Sequence, residues 1–156
     1  HLAVRTGAYK CNVGCDGCFE GNASGPAIAR IARDNWTGEG ALAELADGNP
    51  ENITSRMVFD AADDGDPVAQ DVVDLTIQNV SIGLGMLINV FNPEALVIGG
   101  GVVQGLQRHW EKLKETVIEK SLPGYGKSTP LTATRLGDDV SLLGAAQLAF
   151  RQARRG

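Results

Sequence analysis

No stretch of this 156-residue sequence stays apolar for the roughly 18 residues that a membrane span requires. The longest apolar-rich segment, around 82–91, is interrupted by Gly83, Gly85 and Asn89 and reads as a helix buried inside a protein. The opening residues carry no basic segment followed by an apolar one, so no secretory signal is expected. Basic charge is scarce: 14 Lys and Arg stand against 19 Asp and Glu, a net charge of −5. Nucleic-acid surfaces need clustered cations to neutralise phosphates. The one basic cluster, Arg151, Arg154 and Arg155, sits at the very end and reads as the cationic last turn of a helix. Neither a membrane nor a nucleic acid is therefore expected as a partner. Internal repeats and low-complexity segments are missing. Cysteine is confined to Cys11, Cys15 and Cys18. An odd number so tightly spaced makes a poor disulfide framework and a good metal site in a reducing cytoplasm.

What is present is an apolar fraction of 43%, enough for one core, and a single domain over 1–156 is expected. Residues 2–5 read as the tail of a strand, and 6–17 as a glycine-rich loop carrying the cysteines. Ser24 and Pro26 mark a helix start, with Ile28, Ile31 and Ala32 forming its apolar stripe to about Asp34. Short helices are expected at 39–46 and 54–63. Asp66-Pro67 opens a long helix that Pro93 ends. Ala95 to Ile98 reads as a buried strand running into Gly99, Gly100 and Gly101. A helix over about 103–120 carries Leu106, Trp110, Leu113 and Val117 on one face, a strand covers 131–135, and a helix rich in Ala and Leu closes the chain over 140–154. Helices alternating with strands favour a layered, helix-rich α/β domain.

The cysteine loop carries the strongest chemical signal. Three sulfurs in eight residues, with Gly14 and Gly17 relaxing the backbone between them, suit a tetrahedral zinc ion better than three small buried hydrophobes. Cys11-Asn-Val-Gly-Cys-Asp-Gly-Cys-Phe-Glu20 resembles the signature C-x-C-G-x-x-G-C-x-E of the ROK family of sugar kinases, and Ala23-Ser24-Gly25 follows as it does there. His1 falls where that family has its histidine, completing a His1, Cys11, Cys15, Cys18 ligand set by resemblance. One position departs: Val13 stands in place of the second cysteine, and Cys15 appears two residues later. Either Cys15 replaces the missing ligand through a rearranged loop, or three protein ligands hold the ion. The first is favoured, because an extra cysteine beside a lost one is a pointed coincidence. The run 89–101 resembles the family's approach to its nucleotide-binding glycines, and 136–146 resembles its closing helix. On its own, the glycine triplet would read as a tight turn after a strand.

The resemblance implies the C-terminal domain of an actin-like, ribonuclease H-like sugar kinase fold with a zinc-binding loop. It implies that His1 and Glu20 bind hexose hydroxyls, that His1 also ligates a structural zinc, and that Gly99, Gly100 and Gly101 approach ATP. Glu20 also reads as an ordinary first-turn acid at a helix start. The family's catalytic aspartate lies in an N-terminal half matched by no segment here, so the chain alone is expected to be inactive, with Mg²⁺ and ATP serving the full-length kinase. Glucose is the expected hexose, a homodimer the expected assembly and the cytoplasm the expected compartment. The alternative reading is the effector-binding half of a ROK sugar-responsive transcriptional repressor.

Overall fold

A computed structural model of the chain describes residues 1–6 and 9–154. Gly7 and Ala8 of the expected loop and Arg155 of the basic cluster lie outside the described residues. The molecule is organised around one long helix, α5 (Pro67–Phe91). Its start is fixed by Asp66, whose Oδ1 accepts the Ala69 N–H at 2.9 Å, and by Pro67, which needs no N–H partner in a first turn. Its end comes at Asn92, which takes a left-handed φ of 43° and returns its N–H to the Ile88 carbonyl, so that Pro93 follows the stop. By length and composition α5 could cross a membrane. Of its most apolar 18-residue window, 61% is instead buried, and Val72, Val73, Ile77, Val80, Leu84 and Ile88 form the spine of the core.

Around α5 pack α1 (Phe19–Ala23), α2 (Gly25–Asp34), α4 (Ser55–Asp63) and α7 (Trp110–Lys120), with α3 (Ala41–Leu45) against α4. Helix α2 begins as expected, the Ser24 hydroxyl capping the Ala27 N–H at 3.3 Å. It buries Ile28, Ile31 and Ala32 against the core. Helix α1 is not visible in the sequence pattern, because five residues are too few for a period. The Cys18 sulfur caps it by accepting the Gly21 N–H.

Three expectations are corrected. Residues 2–5 make no strand ladder: Ala3 forms only an isolated antiparallel bridge with Cys18, and the N–H groups of Val4 and Arg5 both converge on the Gly17 carbonyl. The strand at 96–98 exists as β1 (Leu96–Ile98), but it is not buried. Among the described residues it pairs in parallel only with β2 (Leu131–Ala133), Leu96 opposite Leu131, and Val97 is 65% exposed. The helix expected over 103–120 is broken into α6 (Gly101–Leu106), a 3-10 turn over Gln107–His109, and α7. The turn delivers Arg108 onto Asp60 and Asp63 of α4. Leu106, Leu113 and Val117 are buried as the pattern requires, and Trp110 is half-buried. After α8 (Tyr125–Ser128) and β2 comes α9 (Val140–Ala153), with its Leu142, Leu148 and Phe150 exposed.

Candidate metal and sugar site

The cysteine segment folds back on itself. Lys10 bridges Asp16, the Cys11 N–H meets the Cys15 carbonyl at 3.2 Å, and the Gly14 N–H meets the Cys11 carbonyl at 2.9 Å. Gly14 closes this turn at φ 86°, a conformation that costs glycine nothing. The turn lifts Cys15 to the same side as Cys11, so their sulfurs stand 3.0 Å apart. Val13, between them in the loop, is 75% exposed. His1 joins them, its Nδ1 3.5 Å from Cys11 Sγ and 3.4 Å from Cys15 Sγ. Cys18 is buried at the start of α1, and the four ligand atoms all lie within 4.8 Å of one another.

Those separations test whether a metal fits. In a tetrahedron with Zn–S bonds of about 2.3 Å, neighbouring sulfurs stand about 3.8 Å apart, with nitrogen–sulfur edges a little shorter. The observed set needs shifts of less than about 1 Å to reach that shape. Three thiols and an imidazole are also the donor chemistry zinc favours. The hydrogen bond between Cys11 and Cys15 is the largest influence on both thiols: it lowers Cys11 to about 7 and pushes Cys15 up to about 12.

Glu20 sits in the first turn of α1, as its plainer reading anticipated, and also beside the cluster. Its Oε2 is 3.5 Å from His1 Nδ1, and both side chains are about half exposed, at 46% and 50%. A cleft of about 260 Å³ opens next to Glu20, floored by Gly21 and the first turn of α2 and walled by Lys10 and Arg30. A larger, mostly apolar cleft of about 420 Å³ runs from Phe19, Ser24 and Gly25 to Gly99, Gly100 and Gly101. The fold thus brings the segment after Glu20 alongside the glycine turn, some 75 residues further along the chain. Gly100 adopts φ 113°, and a Cβ at Gly100 or Gly101 would meet nothing within 4 Å, so this backbone is open to approach.

Sequence reading missed the residues that hold the loop from behind. Arg30, on α2, donates to the carbonyls of Gly21 at 2.8 Å and Lys10 at 3.4 Å, and stacks its guanidinium 4.6 Å from the Tyr9 ring centre. Asn22, fully buried, donates to the carbonyls of Cys18 and Tyr9. The only signal for Arg30 was a charged residue in an otherwise apolar helical stretch, and Asn22 carried none.

With that geometry in place, the likenesses to known proteins can be read. A family profile described as ROK family matches residues 1–152. The chain belongs to the ROK family. It is 31% identical over 149 residues to the glucokinase of Thermotoga maritima, covering 95% of this chain and 47% of that protein. The crystal structure of a ROK family glucokinase from Streptomyces griseus, in complex with glucose and AMPPNP, superposes with a TM-score of 0.75 at 32% identity, over 95% of this chain and 49% of that one. The Escherichia coli DNA-binding transcriptional repressor Mlc matches too, at 24% identity over 146 residues, 94% of this chain and 35% of the repressor. The chain has the fold of the corresponding part of a ROK glucokinase, within the actin-like sugar kinase class. It spans about half the length of the glucokinases it matches. ROK relatives thus include both kinases and repressors, and the ROK motif at Cys11 to Glu20 forms one compact cluster here.

Proposed function

We propose that this chain is the zinc- and hexose-binding half of an ATP-dependent hexose kinase of glucokinase type, one domain over 1–156. The supporting observation is the position of His1, whose Nδ1 lies 3.5 Å and 3.4 Å from the sulfurs of Cys11 and Cys15 and 3.5 Å from the Glu20 carboxylate. His1, Cys11, Cys15 and Cys18 would hold the zinc, which would be structural, its four positions filled by protein. A metal at Nδ1 leaves Nε2 of His1 for a sugar hydroxyl and fixes its direction. Glu20, two residues beyond Cys18, accepts from two neighbouring hydroxyls. Gly99, Gly100 and Gly101 present open backbone to the nucleotide. Glucose and ATP are the ligands we propose, since a similar glucokinase was crystallised with glucose and AMPPNP. Mg²⁺ would accompany the ATP, and the base that takes the hydroxyl proton would come from outside this chain. A homodimer and a cytoplasmic setting complete the proposal, the latter because reduced thiols and ATP are found there.

The test is zinc content per polypeptide, measured for the parent and for Cys15→Ala, with glucose binding followed by calorimetry on each. One zinc in the parent and a loss in the variant supports Cys15 as the ligand that compensates for Val13. Zinc retained in Cys15→Ala leaves His1, Cys11 and Cys18 as the ligands. A parent that binds neither zinc nor glucose overturns the reading. The repressor reading is favoured by the match to Mlc. A full-length protein containing this chain that phosphorylates glucose supports the kinase; one that binds DNA and releases it on adding sugar supports the repressor.

A further inference from the structure

The cysteine loop has two arms, one arriving through Tyr9 and Lys10, the other leaving through Cys18 into α1. The backbone of α1 is pressed against the incoming arm: a Cβ at Gly21 would lie 2.9 Å from the Tyr9 carbonyl oxygen and 3.0 Å from the Cys11 nitrogen. Beneath this contact lies the Asn22 side chain, with no solvent exposure. Its single amide nitrogen donates 2.9 Å to the Cys18 carbonyl and 3.3 Å to the Tyr9 carbonyl, one on each arm. Behind it, Asn79 on α5 is also buried and donates its side-chain amide to the Asn22 carbonyl at 3.2 Å. Two buried amides therefore link the core helix to both arms.

This arrangement is costly for a residue with no further task. The Asn22 Oδ1 is buried and accepts no hydrogen bond from the described residues, so the acceptor is sacrificed to keep the donors. A leucine of similar size would pack there with no such loss. Turning the amide over would set Oδ1 against two carbonyl oxygens, so the orientation is dictated by the neighbours.

We infer that Asn22 is a positioning residue for the metal loop: its one NH₂ group ties the carbonyl of the ligand Cys18 to that of Tyr9, two residues before the ligand Cys11, and so sets the spacing of the two arms. The inference rests on the reading that this loop holds zinc. Ligands held at the right spacing before the ion arrives lose little freedom on binding it, and partners outside the ligand shell commonly tune affinity 10- to 100-fold. Asn79 acts one step further back, by holding α1.

The experiment measures zinc release into a chromogenic chelator, and the thiolate-to-metal absorption of the cobalt-substituted protein, for the parent, Asn22→Leu, Asn79→Leu and Val117→Ala. Val117 is a core residue of α7 remote from the loop, so its truncation reports what lost stability alone does. Release is expected to accelerate about 10- to 100-fold in Asn22→Leu, with an altered cobalt spectrum. A smaller acceleration is expected in Asn79→Leu, and parental behaviour in Val117→Ala. Parental release and spectrum in a folded Asn22→Leu overturn the inference while leaving the zinc reading intact, as does equal acceleration in Val117→Ala. If Asn22→Leu does not fold, Asn79→Leu decides: faster release than Val117→Ala supports the inference, and equal release overturns it. A parent without zinc overturns the underlying reading instead.

Discussion

Gly17 stands where the N-terminal segment crosses the cysteine loop, with its carbonyl taking the N–H groups of both Val4 and Arg5. A Cβ there would fall 1.5 Å from the Arg5 carbonyl oxygen, and φ is 63°. Neither fault can be relieved by moving a flexible side chain, since the obstacle is backbone. Gly17→Ala is expected to cost at least ~3 kcal/mol and to pull His1 and the outgoing arm out of register, lowering both the melting temperature and the zinc content. Val13, exposed in the loop, is the contrast: Val13→Ala is expected to leave both unchanged. Paired melting curves and metal analysis check the two together. The loop geometry also supports the proposal that Cys15, and not position 13, takes part in the cluster. The turn closed by Gly14 brings position 15, and not position 13, beside Cys11 and His1.

At the scale of elements, Asp66 joins two helices. Its Oδ1 caps α5 at Ala69, while Oδ2 takes the Leu42 N–H at 3.0 Å in the first turn of α3. The side chain is buried, and Gly40 is kept free of a Cβ that would come within 2.5 Å of Oδ2. Asp66→Ala removes two caps at once and strands a buried N–H, so a loss of about 3 kcal/mol is expected. For a chain of this length that is a fall of roughly 6–12 °C in the midpoint of thermal unfolding, measured by calorimetry. Close helix approach at the other end of α5 is governed in the same manner. Gly83 faces the Phe19 ring, where a Cβ would sit 2.5 Å from it. Phe19 lies between Cys18 and Glu20, so the packing of the core helix also reaches the candidate site through this ring.

For the whole molecule, the uneven distribution of apolar surface stands out. The core around α5 is closed, whereas α9 shows Leu142 at 70%, Leu148 at 67% and Phe150 at 66% exposure, and Val97 of β1 is open as well. Apolar area of this kind binds hydrophobic dyes and contributes little to the stability of the chain that displays it. A Leu148→Glu, Phe150→Glu double variant is therefore expected to keep the parental melting temperature and to lose a large part of the 8-anilinonaphthalene-1-sulfonate fluorescence. A melting temperature lowered by several degrees would mean that α9 packs on the rest of the chain.

Much of this was legible from residue order alone. The caps Ser24 and Asp66, each with a proline in the first turn that follows, set the starts of α2 and α5, because a cap acts through neighbours two or three positions away. The spacing of Cys11, Cys15 and Cys18 marked a candidate metal loop for the same reason: the three thiols that the fold gathers with His1 are close along the chain. Contacts between distant segments were not legible. That Val97 is exposed, that Arg108 breaks the expected helix to reach Asp60 and Asp63, and that Asn22 lies beneath the loop with Asn79 behind it all depend on side chains meeting across 40 residues or more, or on what fails to cover them. Periodicity records which face of an element is apolar; which partner that face meets, or whether it meets one, is settled only when the helices pack.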